Sequence, residues 1–501
     1  MKYDFVVIGA GVSGMTAAII LAKNGFQVAL VEKSSKTAPL IRGFTRQGMA
    51  FETGFHYIGG LGRGEVLDTL FNYLGLRERL ETIGFDPEGF DRARSFEPAF
   101  VFNFPYGYER LQDRLQAAFP GEKSAVEKFL RDVREVFLSF PYTRFRPELL
   151  SAGIDKGMYG ITLRDYLDRL TTDPRLKWIL SLHCLLHGVP AGEVAFDYHA
   201  TVVASMFSSV HTVKGGGARL SQIFDNLLEK LGVEVFCGQG ASQLMFSTDR
   251  KVSAVQLNDS RRLVCKGVVS TVHPRRLLEL LPEGILRPAY CRRLAQLEET
   301  LSAFMVFGGC RGPDLGARPQ HMIGTPDLEI GGFGEERPLG GRTVFLSIEP
   351  QEAPAAGVHK FSAISPAGLR ETERWTGTTP GTRPADYYEF KSRMADDLVH
   401  QIERYWPDLE GRLFVLESAT PLTFRDRCHT PSGSIFGVKH KIDQYNPLPM
   451  TRAEGLWLAG QATVAPGIMG AMISAFLACG FILGHERLMA DLRDCRCGGS
   501  S

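Results

Sequence analysis

The chain has 501 residues, enough for two or three domains, and its 44% hydrophobic and 23% charged content is ordinary for a soluble globular protein. Its formal net charge is +1, so charge provides no general attraction to nucleic acid. The nine cysteines include no Cys-x-x-Cys pair, which favours reduced thiols over a disulfide framework. No cationic and apolar leader precedes the first predicted strand, so we expect no signal peptide and a cytoplasmic location.

The first 32 residues form one unit. Its parts are a strand, a glycine-rich turn, a buried helix, a second strand and an acid: Asp4–Ile8, Gly9–Gly14, Met15–Ala22, Gln27–Val31 and Glu32. Gly9 allows a tight turn, Gly11 lets the backbone approach a diphosphate, and Gly14 lets the helix pack closely. The helix N-terminus suits a diphosphate and the Glu32 carboxylate suits a ribose hydroxyl. The unit predicts a Rossmann-type dinucleotide site without identifying the dinucleotide.

The middle of the chain is predicted to hold an inserted helical subdomain. Four segments have apolar residues at helical spacing: Tyr108–Phe119, Lys123–Phe140, Thr162–Leu170 and Pro174–His187. Short strands between residues 233 and 271 predict a small β-meander that returns to the main sheet. Lys214–Gly217 has no apolar strand before it, so it is interpreted as a turn and helix start. With one dinucleotide fingerprint present, we expect no tightly bound NADPH.

The C-terminal region is predicted to return to the first domain. Gly455–Gly460 is a second buried strand ending in glycine. The apolar segment Ile468–Leu483 is shorter than the ~20 residues that a membrane span needs and contains glycines, so we expect a buried helix.

Four segments resemble one family of flavoproteins: Phe51–Gly59, Val268–Pro274, Gly455–Gln461 and Pro466–Ala471. Together with the N-terminal unit they are similar to the FAD-dependent carotenoid desaturases, carotenoid isomerases and retinol saturases, related to phytoene dehydrogenase within the amine oxidase superfamily. The terminal motifs are specific, whereas the middle is only compatible. The resemblance implies an α/β fold: a Rossmann-like FAD-binding domain of the glutathione-reductase type with an inserted mixed sheet-plus-helix substrate domain.

The resemblance also implies domain limits and a cofactor site. The FAD-binding domain is expected over residues 1–75, 205–275 and 435–490, the substrate domain over 76–204 and 276–434, and a disordered tail over 491–501. The residues expected to bind FAD are Gly9, Gly11, Val12, Ser13, Gly14, Glu32, Lys33, Arg42, Gly54, His56, Val235, Gly460, Gln461, Gly467, Gly470, Ala471 and Met472. The helix that opens near Gly470 can direct its positive end at the flavin pyrimidine, which becomes anionic on reduction.

The sequence departs from the family beside this site. Ala38 and Pro39 stand where the family has a Gly-Gly pair, so either FAD binds less tightly or the loop follows a different path. Arg42 could contact a phosphate or remain a solvated loop arginine. Glu52 stands where this branch has aspartate.

No acid–base pair is evident, and His56 and Tyr57 are the candidate catalytic residues. His183 and His187 have a metal-ligand spacing on one predicted helical face, but no third ligand is near in sequence, so we expect no metal. The aromatic residues from Phe100 to Tyr108 could line a substrate cavity or belong to an ordinary core.

We therefore expect an FAD-dependent oxidoreductase acting on carbon–carbon double bonds of a lipophilic polyene, isoprenoid or long acyl substrate. Desaturation, saturation and isomerisation remain open, as does the electron donor or acceptor. Aromatic and arginine residues in Phe137–Phe145 and Arg275–Arg293 suggest peripheral contact with a membrane, although solvated amphipathic surfaces would share this pattern. The alternatives are an amine or amino-acid oxidase on the same fold and a non-catalytic prenyl or lipid carrier resembling the GDP-dissociation inhibitors.

Overall fold

The structure, a computed structural model, describes residues 2–151, 160–312, 320–334, 336–349 and 357–497. The strands in these ranges are β1 (Lys2–Ile8), β2 (Val28–Glu32), β3 (Phe44–Arg46), β4 (Met49–Phe51), β5 (Ile58–Gly59), β6 (Thr82–Gly84), β7 (Asp91–Glu97), β8 (Phe100–Phe104), β9 (Val210–Val213), β10 (Glu234–Cys237), β11 (Ala241–Phe246), β12 (Val252–Leu257), β13 (Arg262–Ser270), β14 (Ser302–Arg311), β15 (Gln320–Asp327), β16 (Val344–Glu349), β17 (Val358–Ala367), β18 (Leu413–Ala419) and β19 (Leu456–Leu458).

The α-helices are α1 (Val12–Lys23), α2 (Val66–Leu74), α3 (Tyr108–Ala118), α4 (Lys123–Ser139), α5 (Pro141–Arg144), α6 (Glu148–Ser151), α7 (Leu163–Leu170), α8 (Pro174–Ser181), α9 (Phe196–Ser208), α10 (Gly216–Lys230), α11 (Pro274–Leu280), α12 (Pro288–Ala295), α13 (Ala385–Tyr405), α14 (Pro421–Cys428), α15 (Gly467–Leu483) and α16 (His485–Cys497).

The first large sheet is built on β1, whose last four residues are all buried. β1 pairs in parallel with β2 on one side and with β13 on the other, while β10 extends the parallel ladder beyond β2. β12 and β11 continue antiparallel from the first half of β13, and β19 pairs in parallel with its second half. The carboxyl ends of β1, β2, β13 and β19 therefore meet at one edge, where open α/β sheets bind their ligands.

This sheet corrects one detail of the sequence prediction. The segment from residue 233 was expected to open the β-meander, but β10 lies on the far side of β2, with Val235 opposite Leu30. The meander consists of β11, β12 and β13.

The second large sheet has the strand order β18-β14-β17-β16-β15-β7-β8. Its strands pair antiparallel except β15 and β7, which are parallel and place His321 directly opposite Asp91. Helices α3, α4, α7 and α8 lie where helices were predicted, and they pack with α9 into one core. The helix beginning at Pro174 stops at Ser181 and continues as a 3₁₀ helix, Leu182–Leu186, so His183 and His187 do not share a helical face.

The apolar segment near the C-terminus forms α15, which is a buried core helix as predicted. The helix that follows it, α16, contradicts the expected disorder from residue 491 because it extends to Cys497, and Leu492 is completely buried. Residues 498–501 lie outside the described residues. Among the described residues, no helix combines the length and apolar character needed to span a bilayer.

The predicted membrane surface at Phe137–Phe145 is wrong. Tyr142 and Phe145 are completely buried in the core that also contains α15. The Tyr142 hydroxyl lies 2.9 Å from His485 Nδ1 and donates to the Phe476 carbonyl at 3.1 Å. These aromatic rings therefore anchor α5 to the C-terminal helices instead of facing outward.

Candidate active site

The glycine-rich turn between β1 and α1 has a different constraint at each glycine. Gly9 has a φ of +97°, which favours glycine, and a Cβ on Gly14 would lie 1.8 Å from the Gly9 carbonyl oxygen. A Cβ on Gly11, by contrast, would meet no protein atom within 4 Å. Gly11 is the N-cap of α1, and the first turn, with Val12 and Ser13, contains no acidic residue. The free space beside Gly11 therefore lies at the N-terminus of α1, where backbone N–H groups can bind an anion.

The carboxylate of Glu32 ends β2 beside this turn. Its Oε2 accepts from the Ala10 backbone N–H at 2.7 Å, and its Oε1 accepts from the Ser34 backbone N–H at 2.8 Å. Each carboxylate oxygen retains further acceptor capacity that a ribose hydroxyl could use. Lys33 follows directly in sequence, and Val235 on β10 is two pairs before the strand end, where Cys237 lies opposite Glu32.

Ala38 and Pro39 stand in place of the family's Gly-Gly pair, but the loop backbone keeps a conformation typical of glycine. Ala38 has a φ of +51°, is almost completely buried, and donates its N–H to the Ala10 carbonyl at 2.7 Å. The guanidinium of Arg42 is held by Asp225 at 2.6 Å and by the Thr37 hydroxyl at 2.7 Å. A phosphate contact by Arg42 would require this ion pair to open, so that role stays a prediction.

Replacing Ala38 with glycine should stabilise the protein. An L-residue in the left-handed region costs about 1–2 kcal/mol, partly offset by the greater unfolded-state entropy of glycine, so the free energy of unfolding should rise by about 1 kcal/mol. Denaturant titration of Ala38→Gly measures this. Ala10→Gly, at a buried position with an ordinary φ, is the matched control and should lower the free energy of unfolding. If Ala38→Gly is less stable than the wild type, the backbone at residue 38 is not strained.

The C-terminal motif is joined directly to the N-terminal unit. Ser474 on α15 accepts the Gly460 N–H at 2.7 Å, and its hydroxyl lies 2.9 Å from the Ser13 hydroxyl on α1. Gly460 has a φ of +111° and lies against the Thr271 backbone, at the carboxyl end of β13. The beginnings of α1 and α15 are therefore held together, so residues from both ends of the chain form one site.

The remaining residues of this motif line the start of α15. Gly467 begins the helix with a φ of +82° and open space around it, while Ala471 and Met472 follow in its first two turns. A Cβ on Gly470 would lie 2.4 Å from the Ala465 carbonyl oxygen, so this glycine is required for packing of the turn. The Gln461 carbonyl accepts from His440 Nε2 at 2.8 Å.

The Glu52 side chain accounts for the glycines that follow Lys214. Its Oε2 accepts from the Gly217 N–H at 3.0 Å, at the start of α10. A Cβ on Gly216 would lie 1.9 Å from Glu52 Oε1, so larger residues would displace the carboxylate. Lys214–Gly217 is a turn and helix start, as predicted, but a strand that the prediction did not expect, β9, directly precedes it. Burial raises the pKa of Glu52 to about 7.

This pKa predicts a pH-dependent stability. Because the folded pKa of Glu52 is raised, its contribution is complete below its ordinary pKa near 4.5 and is lost as the pH rises through about 7. Glu52→Gln should remove this loss, worth about 3 kcal/mol. Denaturant titrations at pH 5 and pH 8 should show a smaller pH effect in Glu52→Gln than in the wild type. Glu81→Gln, at an exposed carboxylate that pairs with Lys214, is the control and should keep the wild-type pH effect.

The loop from Gly54 to Gly60 connects the cofactor motifs to the second sheet. A Cβ on Gly60 would lie 2.5 Å from Met469 Cε at the start of α15. Three residues earlier, the Tyr57 hydroxyl donates to Asp91 Oδ2 on β7 at 3.2 Å. Both ring nitrogens of His56 are buried with no hydrogen-bond partner in the part of the chain that the structure describes, and burial lowers the pKa of this imidazole.

Asp91 is the centre of a buried polar cluster, which also contains Tyr57, His183 and His321. Its Oδ2 lies 3.1 Å from His183 Nε2, and its Oδ1 lies 3.7 Å from His321 Nδ1. Asp91 Oδ1 and both ring nitrogens of His321 have no hydrogen-bond partner among the described residues. Burial, with the neighbouring His56, lowers the pKa of His321, while burial and Asp91 raise that of Tyr57. The Asp91 cluster combines a carboxylate, two imidazoles and a phenol, the side-chain types that serve as general acids and bases.

Sequence reasoning missed Asp91 and His321, and it considered His183 only as a possible metal ligand. Asp91 and His321 are 230 positions apart and become neighbours only through the parallel register of β7 and β15. A fully buried carboxylate is unusual enough to mark a functional site, but burial at residue 91 has no local sequence signal.

A second group of buried side chains has the residue types that bind metal ions. The potential ligand atoms of Cys184, His187 and His199 all lie within 4.8 Å of one another. However, His187 Nδ1 accepts the Val189 N–H at 3.2 Å, which places the proton of the neutral ring on Nε2. That proton is directed at His199 Nδ1, 3.1 Å away. The hydrogen-bond pattern favours a metal-free chain of neutral groups.

Known proteins resemble this chain along most of its length. The family described as NAD(P)-binding Rossmann-like domain matches residues 7–74. The all-trans-retinol 13,14-reductase of Danio rerio is 24% identical to this chain, over 97% of this chain and 86% of the relative. The lycopene-forming phytoene desaturase of Pantoea ananas is 25% identical, over 95% of this chain and 98% of the relative. Prolycopene isomerase 2 of an Oncidium hybrid cultivar is 24% identical, over 98% of this chain and 84% of the relative.

Solved structures show the same fold at low identity. An oxidoreductase from Methanosarcina mazei has a TM-score of 0.64 and 15% identity over 95% of this chain and 99% of its own. Cyclohexylamine oxidase from Brevibacterium oxydans has a TM-score of 0.58 and 16% identity over 99% of both chains. A Rab GDI from Plasmodium falciparum has a TM-score of 0.52 and 10% identity over 96% and 98%.

The chain has a Rossmann-like domain and a second mixed sheet, the fold that these solved structures share. The predicted fold class is confirmed, as is the resemblance to the carotenoid desaturases, carotenoid isomerases and retinol saturases. The relatives that carry this resemblance are named as a reductase, a desaturase and an isomerase.

Proposed function

We propose that the chain is an FAD-dependent oxidoreductase acting on carbon–carbon double bonds of a lipophilic polyene, isoprenoid or long acyl substrate. The observation that supports it best is the position of the Asp91 cluster. The loop Gly54–Gly60 joins this proton-holding cluster to the start of α15, where the two end motifs meet. The sequence relatives are named for reactions on retinol, phytoene and prolycopene, all of which are polyenes.

The residues of the end motifs fit FAD. The first turn of α1 with Gly11 would hold its diphosphate, Glu32 its ribose, and the start of α15 its flavin ring. When bound, FAD would supply or accept a hydride equivalent. In this assignment, residues 1–75, 205–275 and 435–490 bind the cofactor, and residues 76–204 and 276–434 surround the substrate.

The proton of the reaction is assigned to the Asp91 cluster. Saturation adds a proton to one alkene carbon, and desaturation removes one. Tyr57 Oη would hold that proton, the Asp91 carboxylate accepts the Tyr57 hydroxyl, and the rings of His183 and His321 lie 3.1 and 3.7 Å from Asp91. Candidate His56 extends the same buried surface through its contact with Phe345. A redox-neutral isomerisation would use the cluster to add and remove one proton.

The test begins with the cofactor. The purified protein should contain flavin, and acid extraction followed by mass spectrometry should identify FAD. Anaerobic incubation with retinol, phytoene or prolycopene, under reducing and oxidising conditions, should convert at least one polyene; chromatography then distinguishes the three reactions. Protein that contains no flavin and does not take up added FAD would refute the proposal and favour the lipid-carrier alternative.

The amine oxidase alternative has its own outcome in this experiment. Release of peroxide from an amine, without conversion of any polyene, would establish it. The fold does not discriminate, because an amine oxidase and a Rab GDI both share it. We further propose a cytoplasmic location with peripheral contact to a membrane that holds the substrate.

A further inference from the structure

A short exposed loop, residues 442–450, concentrates large apolar side chains at the surface. Ile442, Tyr445, Leu448 and Met450 are 39%, 55%, 58% and 56% exposed. They are four of the ten large hydrophobic residues that are exposed among the described residues, and they fall within nine positions. A cluster of this kind on an otherwise ordinary surface indicates an interaction site.

Two amide side chains of this loop face inward, whereas Asp443 is exposed. The side chains of Gln444 and Asn446 turn inward, where both donate to the Lys439 carbonyl, at 2.6 and 3.1 Å. Gln444 also accepts the Glu298 N–H at 2.8 Å. The Leu458 N–H on β19 donates to the Pro449 carbonyl at 2.8 Å. The loop backbone is therefore fixed by hydrogen bonds, and its apolar side chains are held outward.

Unpaired arginines lie next to this loop. Tyr290 on α12 packs against one apolar cluster that contains Val438 and another that contains Ala453, the residues that flank the loop on either side. Exposed arginines occupy α12, its N-cap and the end of the loop: Arg287, Arg292, Arg293 and Arg452. Among the described residues, none of these four has an acidic partner within ion-pair distance. Apolar side chains beside unpaired cations complement an anionic lipid surface.

The loop is also continuous with the proposed cofactor site. It begins two residues after His440, whose Nε2 donates to the Gln461 carbonyl, and it leads into β19 and the C-terminal motif. Contact with lipid at this loop would therefore place the start of the cofactor motif near the bilayer surface.

From these contacts we infer that residues 442–450 and the α12 arginines bind the surface of an anionic lipid bilayer. The inference rests on the proposed function in one respect, since a lipophilic substrate would be taken up there. The arginines contact the phosphate groups of the lipids, and Tyr445, Leu448 and Met450 enter the boundary between headgroups and acyl chains. This surface replaces the one predicted at Phe137–Phe145, and it uses part of the predicted Arg275–Arg293 segment.

Vesicle sedimentation of the full chain tests the inference. The wild type should bind vesicles of phosphatidylcholine with phosphatidylglycerol, and should bind weakly to phosphatidylcholine alone. Tyr445→Ser combined with Leu448→Ser and Met450→Ser should weaken binding by at least about tenfold. Replacing Arg287, Arg292 and Arg293 with glutamine should weaken it by about fivefold for each arginine, only with the anionic vesicles.

Matched controls are available elsewhere on the surface. Val101→Ser and Tyr388→Ser change side chains that are 59% and 49% exposed on other elements, and should leave vesicle binding unchanged. The inference is overturned if the wild type does not bind anionic vesicles, or if the loop and control variants lose binding equally. A dimer that dissociates in the loop variant, without vesicle binding, would assign the loop to a second copy of the chain. Because vesicle binding is measured independently of flavin content, loss of the proposed catalytic function would not produce the same result.

Discussion

Gly11→Val is expected to abolish flavin binding while the protein stays folded. Gly11 is the N-cap of α1 with a φ of −72° and a ψ of −179°, a conformation that valine adopts readily. No protein atom lies within 4 Å of the Cβ position, so the side chain would extend into the space assigned to the diphosphate. We expect the dissociation constant for FAD to rise more than about a hundredfold, as flavin absorbance per protein after gel filtration would show.

The other glycines make this prediction specific. A valine at Gly377, which is also exposed with no atom within 4 Å of its Cβ position, should retain full flavin. Gly14→Ala should instead destabilise the apoprotein, because its Cβ would lie 1.8 Å from the Gly9 carbonyl oxygen. The thermal unfolding midpoint of the Gly11→Val apoprotein should remain near that of the wild-type apoprotein. Stoichiometric flavin in Gly11→Val would show that the diphosphate lies elsewhere.

The elements that could be predicted from sequence are those whose signals are local. β1, α1, β2 and α15 each follow from an apolar segment with adjacent glycines, and the helices of the inserted subdomain follow from their 3.6-residue period. The joining of the two end motifs was implied by the family resemblance, and the hydrogen bond between Ser13 and Ser474 now gives it a physical basis.

The features that could not be predicted depend on long-range packing. Aromatic residues beside arginines suggested a surface at Phe137–Phe145, but Phe145 is buried because α5 packs against α15, 330 positions along the chain. The left-handed φ of Ala38 is imposed by the hydrogen bond of its N–H to Ala10, which no propensity for alanine indicates. The Asp91 cluster depends on the register of β7 and β15, and a one-residue shift would turn these side chains to the opposite face.

The Asp91 cluster leads to the second large effect, expected for Asp91→Asn. The amide keeps the size of the carboxylate and can still accept the Tyr57 hydroxyl, but it cannot take up a proton from His183 or His321. We expect kcat on the polyene substrate to fall by about a hundredfold or more, with KM and flavin content little changed. The pH profile of kcat should lose the limb that reports the cluster, and Tyr57→Phe should reproduce part of this loss.

Asp132 provides a matched control in the same domain. It is another buried carboxylate that accepts a tyrosine hydroxyl, from Tyr166 at 2.7 Å, but it lies on α4, outside the loop that reaches the cofactor motifs. Asp132→Asn should therefore lower the thermal unfolding midpoint without changing kcat or the pH profile. The Asp91 cluster is structural if Asp91→Asn lowers stability, as Asp132→Asn does, and also lowers flavin content while the pH profile of kcat stays intact. A selective loss of kcat in Asp91→Asn alone would show that the buried carboxylate controls a proton needed at the substrate, because both variants remove a buried carboxylate that accepts a tyrosine hydroxyl, and that of Asp132 also pairs with Lys128 at 2.5 Å.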